Sequence, residues 1–317
     1  MTITPEQLKF RAGKIGASSM AQAVGRGYGG RTRAELFHRM MGNLPPVEET
    51  MAMRVGNYME RFILDEYHRK TGREVMEYPE TQVHPDEPRI ICHCDGITVD
   101  RDRLIEIKNV GHRMSDAWKD GVPEYYWVQG CGQSMLTGIM KVDFAAYFGG
   151  NDLRIFEVEY TKEDHTALYD GLKDFLFYVD NDEEPPHEQA DLPNLDKYCT
   201  PEPGVYKITD GDLEESCKRL AALKQTFKPD KETKDAMDRL EFEIKEYMAG
   251  AEALRDKKDN VLFTWKKGKD KEVVDWEAVA RELSYMRDDD DVALNSLLKS
   301  KTTIKPGSRT FLCKIKE

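Results

Sequence analysis

Three residues near the middle of the chain have the types that can hold a divalent cation beside a phosphate ester. Asp95 lies in an extended run from Ile90 to Val99, and Glu106 and Lys108 lie in a second run from Leu104 to Lys108, after the polar turn Asp100-Arg101-Asp102-Arg103. This pattern predicts a β-hairpin. Side chains alternate along a strand, so Glu106 and Lys108 share a face with Leu104 while Ile105 and Ile107 take the other. Magnesium prefers oxygen donors near octahedral geometry and keeps several waters, so one carboxylate from each strand plus the Ile107 carbonyl makes a partial shell. Such an ion lowers the pKa of a bound water and stabilises a pentavalent phosphate, and Lys108 can orient the water or neutralise developing charge. The same residue types also permit a plain cross-strand ion pair between Asp95 and Lys108. Residue types alone do not choose between the two.

The triplet Glu-Ile-Lys is itself cheap, because Glu243-Ile244-Lys245 repeats it within a helical pattern. Other motifs carry less chemistry. Cys92-His93-Cys94 invites a zinc reading, but alternation sets both thiols on one face and the imidazole on the other, and no second pair stands at ligand spacing. The remaining cysteines are dispersed and read as small buried residues. Tyr125, Tyr126 and Trp127 beside a helix start read as core before they read as base-stacking groups. The basic tail from Lys299 to Lys316 suits either a DNA backbone or plain solvent.

The elements that must position the central residues follow from caps and periodicity. Thr4-Pro5 is a helix start, and a second short helix begins near Ser18. Thr32-Arg33-Ala34-Glu35 is a capping box, opening a helix that Gly42 can end. After Pro45-Pro46, Val55, Met59, Ile63 and Tyr67 recur at helical spacing until Gly72, and this helix carries Glu60. Pro123 opens a helix through Tyr126, Gln129 and Gln133. Strand-like runs follow at Val142 to Phe148 and Leu153 to Tyr160, then a helix from about Asp164 to Val179, which together make a mixed α/β unit. Asn181 to Pro203, with five prolines and many acids, is the best candidate boundary. The expected division is a domain over 1–200 and an extension over 201–317, mainly helical, with helices at 212–225 and 233–248 and short strands at Val261 to Trp265 and Arg309 to Ile315.

Bulk properties exclude little more. No apolar run approaches the roughly 18 residues of a membrane span, there is no secretory pattern at the start, and six scattered cysteines suit a reducing cytoplasm. The net charge of -12 opposes a nucleic-acid partner only on average. The stretch from Lys9 to Arg39 is basic, with Glu35 its one acid, and a cation site itself gathers carboxylates.

Five motifs in order carry a family resemblance over about the first 180 residues: Arg11 to Ser18 as Arg-x-Gly-x-Ile-x-Ala-Ser, Gly56 to Glu60, Asp95-Gly96, Glu106 to Lys108, and Tyr126 to Gln129 followed by Thr137-Gly138. The set resembles the YqaJ-like viral recombinases, relatives of phage lambda exonuclease. The resemblance implies an α/β fold with a PD-(D/E)XK restriction-endonuclease-like core, a central mixed sheet flanked by helices. It implies that Asp95, Glu106 and the Ile107 carbonyl hold Mg2+, with Mn2+ as a substitute, that Glu60 is an outer ligand, and that Lys108 and Gln129 organise the attacking water. It also implies a 5′-to-3′ exonuclease acting on ends of linear double-stranded DNA, assembled as a homo-oligomeric ring in a bacterial or phage-infected cytoplasm. The product would be a single strand for an annealing partner protein in recombination. Arg11 and Ser18 would hold the 5′-phosphate, as a guanidinium fork and a hydroxyl at a helix start, although Ser18 also suits an ordinary N-cap. This chain departs from the lambda pattern at His93, where a serine is expected; by strand parity His93 shares a face with Asp95, so it is a candidate for the 5′-phosphate as an imidazole donor, or else a supporting partner of the metal site. Two other readings stand beside this one: an endonuclease or repair nuclease of the same fold, and an inactive DNA-binding module or inhibitor.

Overall fold

The computed structural model describes residues 13–315 apart from 46, 48, 79, 210, 226, 227 and 284–290. The helix start at Thr4-Pro5 and Arg11 thus lie outside the described residues. By its contacts the chain divides into two units, Met1–Asp191 and Leu192–Glu317.

In the first unit the described elements run β1 (Ile15–Gly16), α1 (Ala17–Ala23), α2 (Arg33–Met40), α3 (Met51–Thr71), β2 (Val75–Glu77), β3 (Gln82–Val83), β4 (Ile90–Cys92), β5 (Gly96–Thr98), β6 (Arg103–Val110), α4 (Glu124–Thr137), β7 (Lys141–Phe148), β8 (Asp152–Glu159) and α5 (Lys162–Asn181). Five strands form a mixed sheet in the order β2-β5-β6-β7-β8, with β6 and β7 parallel and the other pairs antiparallel. Period-two alternation sorts the two central strands onto two cores. Leu104, Val110, Val142, Phe144, Ala146 and Phe148 join the larger one, with residues of α1, α2, α4 and α5. Ile105, Ile107 and Ala145 face the other way, against Ile63, Leu64 and Tyr67 of α3. The sheet is therefore covered by helices on both faces.

The expected capping box at Thr32 forms in one direction only, the Glu35 side chain pairing with Gln22 and Arg39 instead. Thr32 accepts a hydrogen bond from the Glu35 amide at 3.1 Å, and α3 and α4 end on Gly72 and Gly138 in the left-handed region, where a residue without Cβ is unstrained. Val55 differs from expectation. Only the later turns of α3 reach the sheet, and Val55 is exposed along with Met51, Tyr58 and Phe62.

The hairpin is shorter than the sequence pattern suggests. Gly96↔Ile105 and Ile97↔Leu104 pair β5 with β6, but Ile90–Cys92 belongs to a different sheet, ordered β1-β4-β3. The extended run changes sheets at His93-Cys94-Asp95, so strand parity does not relate His93 to Asp95.

A buried charge network ties α3 to the sheet. Asp143 of β7, fully buried, accepts from Tyr67 at 2.6 Å, Arg73 at 2.8 Å and Arg103 at 2.5 Å. These bonds fix the C-terminal end of α3 beside the start of β6.

The second unit contains α6 (Leu195–Tyr198), β9 (Glu202–Ile208), α7 (Gly211–Leu223), α8 (Lys231–Met248), β10 (Ala251–Arg255), β11 (Val261–Lys267), β12 (Lys271–Val274), α9 (Trp276–Leu283), α10 (Asp291–Ser300), β13 (Thr302–Lys305) and β14 (Arg309–Cys313). Its helices match the spacing read at 212–225 and 233–248, but it holds more strand than the two runs foreseen. Four strands form a sheet ordered β14-β11-β10-β9 and two more pair as β12-β13. Arg309, read as part of a basic tail, is buried. It lies over the Trp265 ring at 3.6 Å and donates to the carbonyls of Ala249, Ala251 and Trp265 at 2.8, 2.8 and 2.9 Å. That residue stitches a sheet together and has no donor left for a phosphate. Among the described residues no helix is long and apolar enough to cross a membrane.

Candidate active site

Glu106 is the centre of the site. It sits mid-strand in β6 on the face turned to α4, and it is 2% exposed, a costly place for a carboxylate unless each oxygen is bonded. Three side chains do this. Lys108, two residues along the same face, and Gln129 of α4 both donate to Oε1, Gln129 at 2.5 Å. Gln133, one turn further along α4, donates to Oε2 at 2.6 Å and to the His93 carbonyl at 3.0 Å. Lys108 also donates to Oε1 of Gln129 at 3.1 Å and lies over the Tyr126 ring at 4.6 Å. Lysine, glutamate and glutamine thus form a closed triangle.

The helix can supply these groups because it sits close to the sheet. A Cβ at Gly130 would stand 2.5 Å from the Tyr160 hydroxyl and 2.6 Å from the Phe144 ring, so only glycine lets the Gln129–Gln133 face approach β6 this closely.

Asp95 reaches the same place from the chain segment between β4 and β5. Its Oδ2 accepts from the Ile107 amide at 2.8 Å, which puts the carboxylate beside the backbone of the residue whose carbonyl the sequence nominates as a ligand. A Cβ at the next residue, Gly96, would stand 3.0 Å from Leu64 of α3. The Asp-Gly pair therefore marks a close approach of strand and helix. Glu60, half-buried on α3, contributes its negative charge to Asp95 from that helix.

The electrostatics say what is missing from such a set. Burial, then the neighbouring Glu106, pushes the Asp95 carboxyl well above its ordinary range, Glu60 adds to this, and Lys108 with the Ile107 amide only partly opposes it. For Lys108, burial disfavours the charge, but Glu106 and Asp95 outweigh it and the ammonium is held above its usual pKa. Asp95 and Glu106 act on one ammonium while Glu60 adds its charge at Asp95. This excess of negative charge, on hard oxygen donors next to a backbone carbonyl, fits a divalent cation of the Mg2+ or Mn2+ kind. The plain Asp95–Lys108 ion pair is not what forms, since the partners of Lys108 are Glu106 and Gln129.

The remaining nominated residues are placed less centrally. Ser18 is exposed at the second position of α1; the N-cap is Gly16, so Ser18 is not the cap and its hydroxyl stays available. His93 is half-buried where the chain changes sheets. Cys92 and Cys94 are buried with their thiols hydrogen-bonded to each other, in keeping with a packing role. Gln133 and Tyr126 are site residues that the sequence reading passed over. Their signal was spacing: Tyr126, Gln129 and Gln133 stand at i, i+3 and i+7, one face of a helix.

Residues 6–140 match the family model of the YqaJ-like viral recombinase domain. Among solved structures the chain is similar to an alkaline exonuclease from Laribacter hongkongensis, at 24% identity and TM-score 0.48, covering 56% of this chain and 94% of that one. The same enzyme in complex with dAMP gives 24% identity and TM-score 0.49 over the same shares. A phage-related exonuclease from Haemophilus somnus 129PT is similar at 15% identity and TM-score 0.42, covering 53% of this chain and 94% of that one. No curated protein matches the sequence.

Proposed function

We propose that this chain, whose residues 6–140 match the family model of the YqaJ-like viral recombinase domain, is a nuclease that digests one strand of linear double-stranded DNA from 5′ to 3′ with Mg2+, or Mn2+ in its place. The observation that carries this reading is the intact set around Glu106: Asp95 and Glu60 as further carboxylates, with Lys108 and Gln129 locked onto the same oxygen. An inactive binding module would have no need to retain Glu106 in a buried place and a second and third acid, Asp95 and Glu60, beside it.

In this scheme Asp95, Glu106 and the Ile107 carbonyl hold the cation, with Glu60 as outer ligand. The cation, when bound, supplies a water of lowered pKa and stabilises charge on the phosphate. Lys108, held by Glu106 and Gln129 and seated on Tyr126, presents a fixed ammonium toward the attacking water or the developing phosphate charge. Gln129 orients that lysine and the water. Arg11, Ser18 and His93 form the 5′-phosphate pocket, giving the enzyme its dependence on a DNA end.

The exposed apolar stripe Met51, Val55, Tyr58 and Phe62 on α3, at helical spacing, supports assembly into a homo-oligomer. A ring around the duplex and delivery of the product strand to an annealing protein complete the proposal, and both places of action are aqueous cytoplasm.

The test is a linear duplex labelled at either end, incubated with Mg2+ or with EDTA. Mg2+-dependent loss of the 5′ label first, with a covalently closed plasmid left intact, is the expected result. Cleavage of the closed plasmid would replace the exonuclease with an endonuclease of the same fold, and no digestion of either would favour the binding module. Dephosphorylated ends should be digested more slowly, and Arg11→Ala should erase that preference.

A further inference from the structure

Away from the carboxylate site, two imidazoles converge on one carboxylate oxygen. His38, near the C-terminal end of α2, places Nε2 2.5 Å from Oε1 of Glu184, and His187 places its own Nε2 2.6 Å from the same atom. The three donor atoms all lie within 4.8 Å of one another. Both histidine side chains are largely shielded, 8% and 10% exposed, and the carboxylate is 36% exposed. We propose that His38, Glu184 and His187 are a binding site for Zn2+, separate from the Mg2+ chemistry, that clamps the chain after α5 onto α2.

The donor set is of the right chemical kind. Two neutral imidazoles and one carboxylate are a His2Glu set, which suits zinc with a fourth position for water. Such a set discriminates against Mg2+, which asks for oxygen donors and gives up its waters reluctantly.

The scaffold is preorganised. Glu184 and His187 are separated by Pro185-Pro186, each fixing its own φ, so little backbone freedom is left to lose on binding. Asn43 Nδ2 lies 3.2 Å from Nδ1 of His38, and its backbone donates to the His38 carbonyl at 2.8 Å, so Asn43 fixes the orientation of the ring. The same segment is pinned at the other end of α2, where buried Asp191 accepts from the Thr32 hydroxyl. A cation at His38 would complete a second fastening.

Binding requires only a small opening. A tetrahedral ion with bonds of about 2.0–2.2 Å sets its ligand atoms about 3.3 Å apart, so each Nε2–Oε1 distance must grow by about 0.7 Å. On binding, each Nε2 turns its lone pair to the ion: a neutral imidazole does so by carrying its one proton on Nδ1, and an imidazolium does so by releasing one proton to solvent.

The experiment uses the full chain with Asp95→Asn and Glu106→Gln, which silences the other cation site, stripped with chelator and titrated with Zn2+ and with Co2+ as a spectroscopic probe. One equivalent bound, visible tetrahedral Co2+ bands, and retention against excess Mg2+ are expected. Adding His187→Gln or Glu184→Gln should weaken binding by more than about 100-fold, beyond what loss of a mere supporting partner costs. Should those variants fail to fold, X-ray absorption on the Zn2+-loaded parent decides alone: imidazole and oxygen neighbours support the site. Neighbouring sulfur, no bound equivalent, or unchanged binding in the folded ligand variants would overturn it.

Discussion

Gln133 offers the most direct test of how the site works, because it touches Glu106 without being a nominated ligand. It is 1% exposed and its amide nitrogen bridges Glu106 Oε2 and the His93 carbonyl. Replacing it with leucine keeps the volume and removes both bonds. The bond to a charged carboxylate contributes about 1.5–3 kcal/mol and the one to the carbonyl about 0.5–1.5 kcal/mol. Leucine also removes the buried amide oxygen, which has no hydrogen-bond partner among the described residues and costs about 1–3 kcal/mol of desolvation. These terms partly offset, so Gln133→Leu should lower unfolding stability by about 1 kcal/mol and by no more than about 3.5 kcal/mol. Catalysis should suffer more. Glu106 keeps Lys108 and Gln129 on Oε1, but Oε2 becomes free to turn, and supporting partners of metal ligands typically govern about 10–100-fold in affinity or activity, or about 1.4–2.8 kcal/mol. The assay is exonuclease rate on labelled linear duplex as a function of Mg2+ concentration, with urea unfolding alongside. The half-saturating Mg2+ concentration should rise by that factor in a protein that remains folded. A variant with unaltered rate and Mg2+ dependence would refute the claim that Gln133 holds Glu106 for the cation.

Three further outcomes follow from the same geometry. Asp95→Asn should abolish Mg2+-dependent digestion yet raise the melting temperature of the metal-free protein, since burial and Glu106 both disfavour the Asp95 charge; Mg2+ should stabilise the native chain and not the variant, as seen by calorimetry. Asp143→Ala should cost about 3–5 kcal/mol in denaturant unfolding, because it strips Arg73 and Arg103 of a fully buried counter-charge. Burial and the bond to Asp143 push the Tyr67 hydroxyl up to about 12. The folded chain therefore keeps a proton that the unfolded chain gives up near pH 10. The stability this contributes is complete below pH 10 and declines as pH rises toward about 12, and Tyr67→Phe should flatten that decline in urea midpoints.

How much of this was legible depended on whether burial was one-sided. In β6 and β7 each strand has a core on both faces, yet period two still separates Leu104 from Ile105 because the helices meet them from opposite sides. β9 left no such trace: it is an edge strand whose seven residues are all exposed, so no face is selected for apolar residues, and Pro203 is tolerated there. The break at His93-Cys94-Asp95 was hidden for a different reason. The residues on both sides are buried strand, and nothing in an extended run of this kind reports a change of sheet. The contact of Lys108 with Glu106 was legible because the two share one face of a strand, whereas a contact between distant elements leaves no local spacing. His38 and Glu184 are 146 residues apart, and no local spacing can announce such a meeting.

The two Glu-Ile-Lys triplets show why period, not composition, makes the site. In α8 the first and third residues are about 200° apart around the helix, so they cannot serve one ligand. Glu243 accepts from Ser216 at 2.9 Å while Lys245 pairs with Glu241 at 2.9 Å, two separate surface contacts. In β6 the same two residues point the same way, and Lys108 closes on Glu106 directly. The strand then lets one helix face reach both at once, and the second carboxylate arrives from the segment just before the neighbouring strand β5. A substitution that kept all three residue types but shifted β6 by one residue would turn Glu106 and Lys108 toward Ile63, Leu64 and Tyr67. That face has no glutamine to receive them, so the fold could not keep both its core and its site; the register of Gly96 against Ile105 is as much a part of the chemistry as the carboxylates.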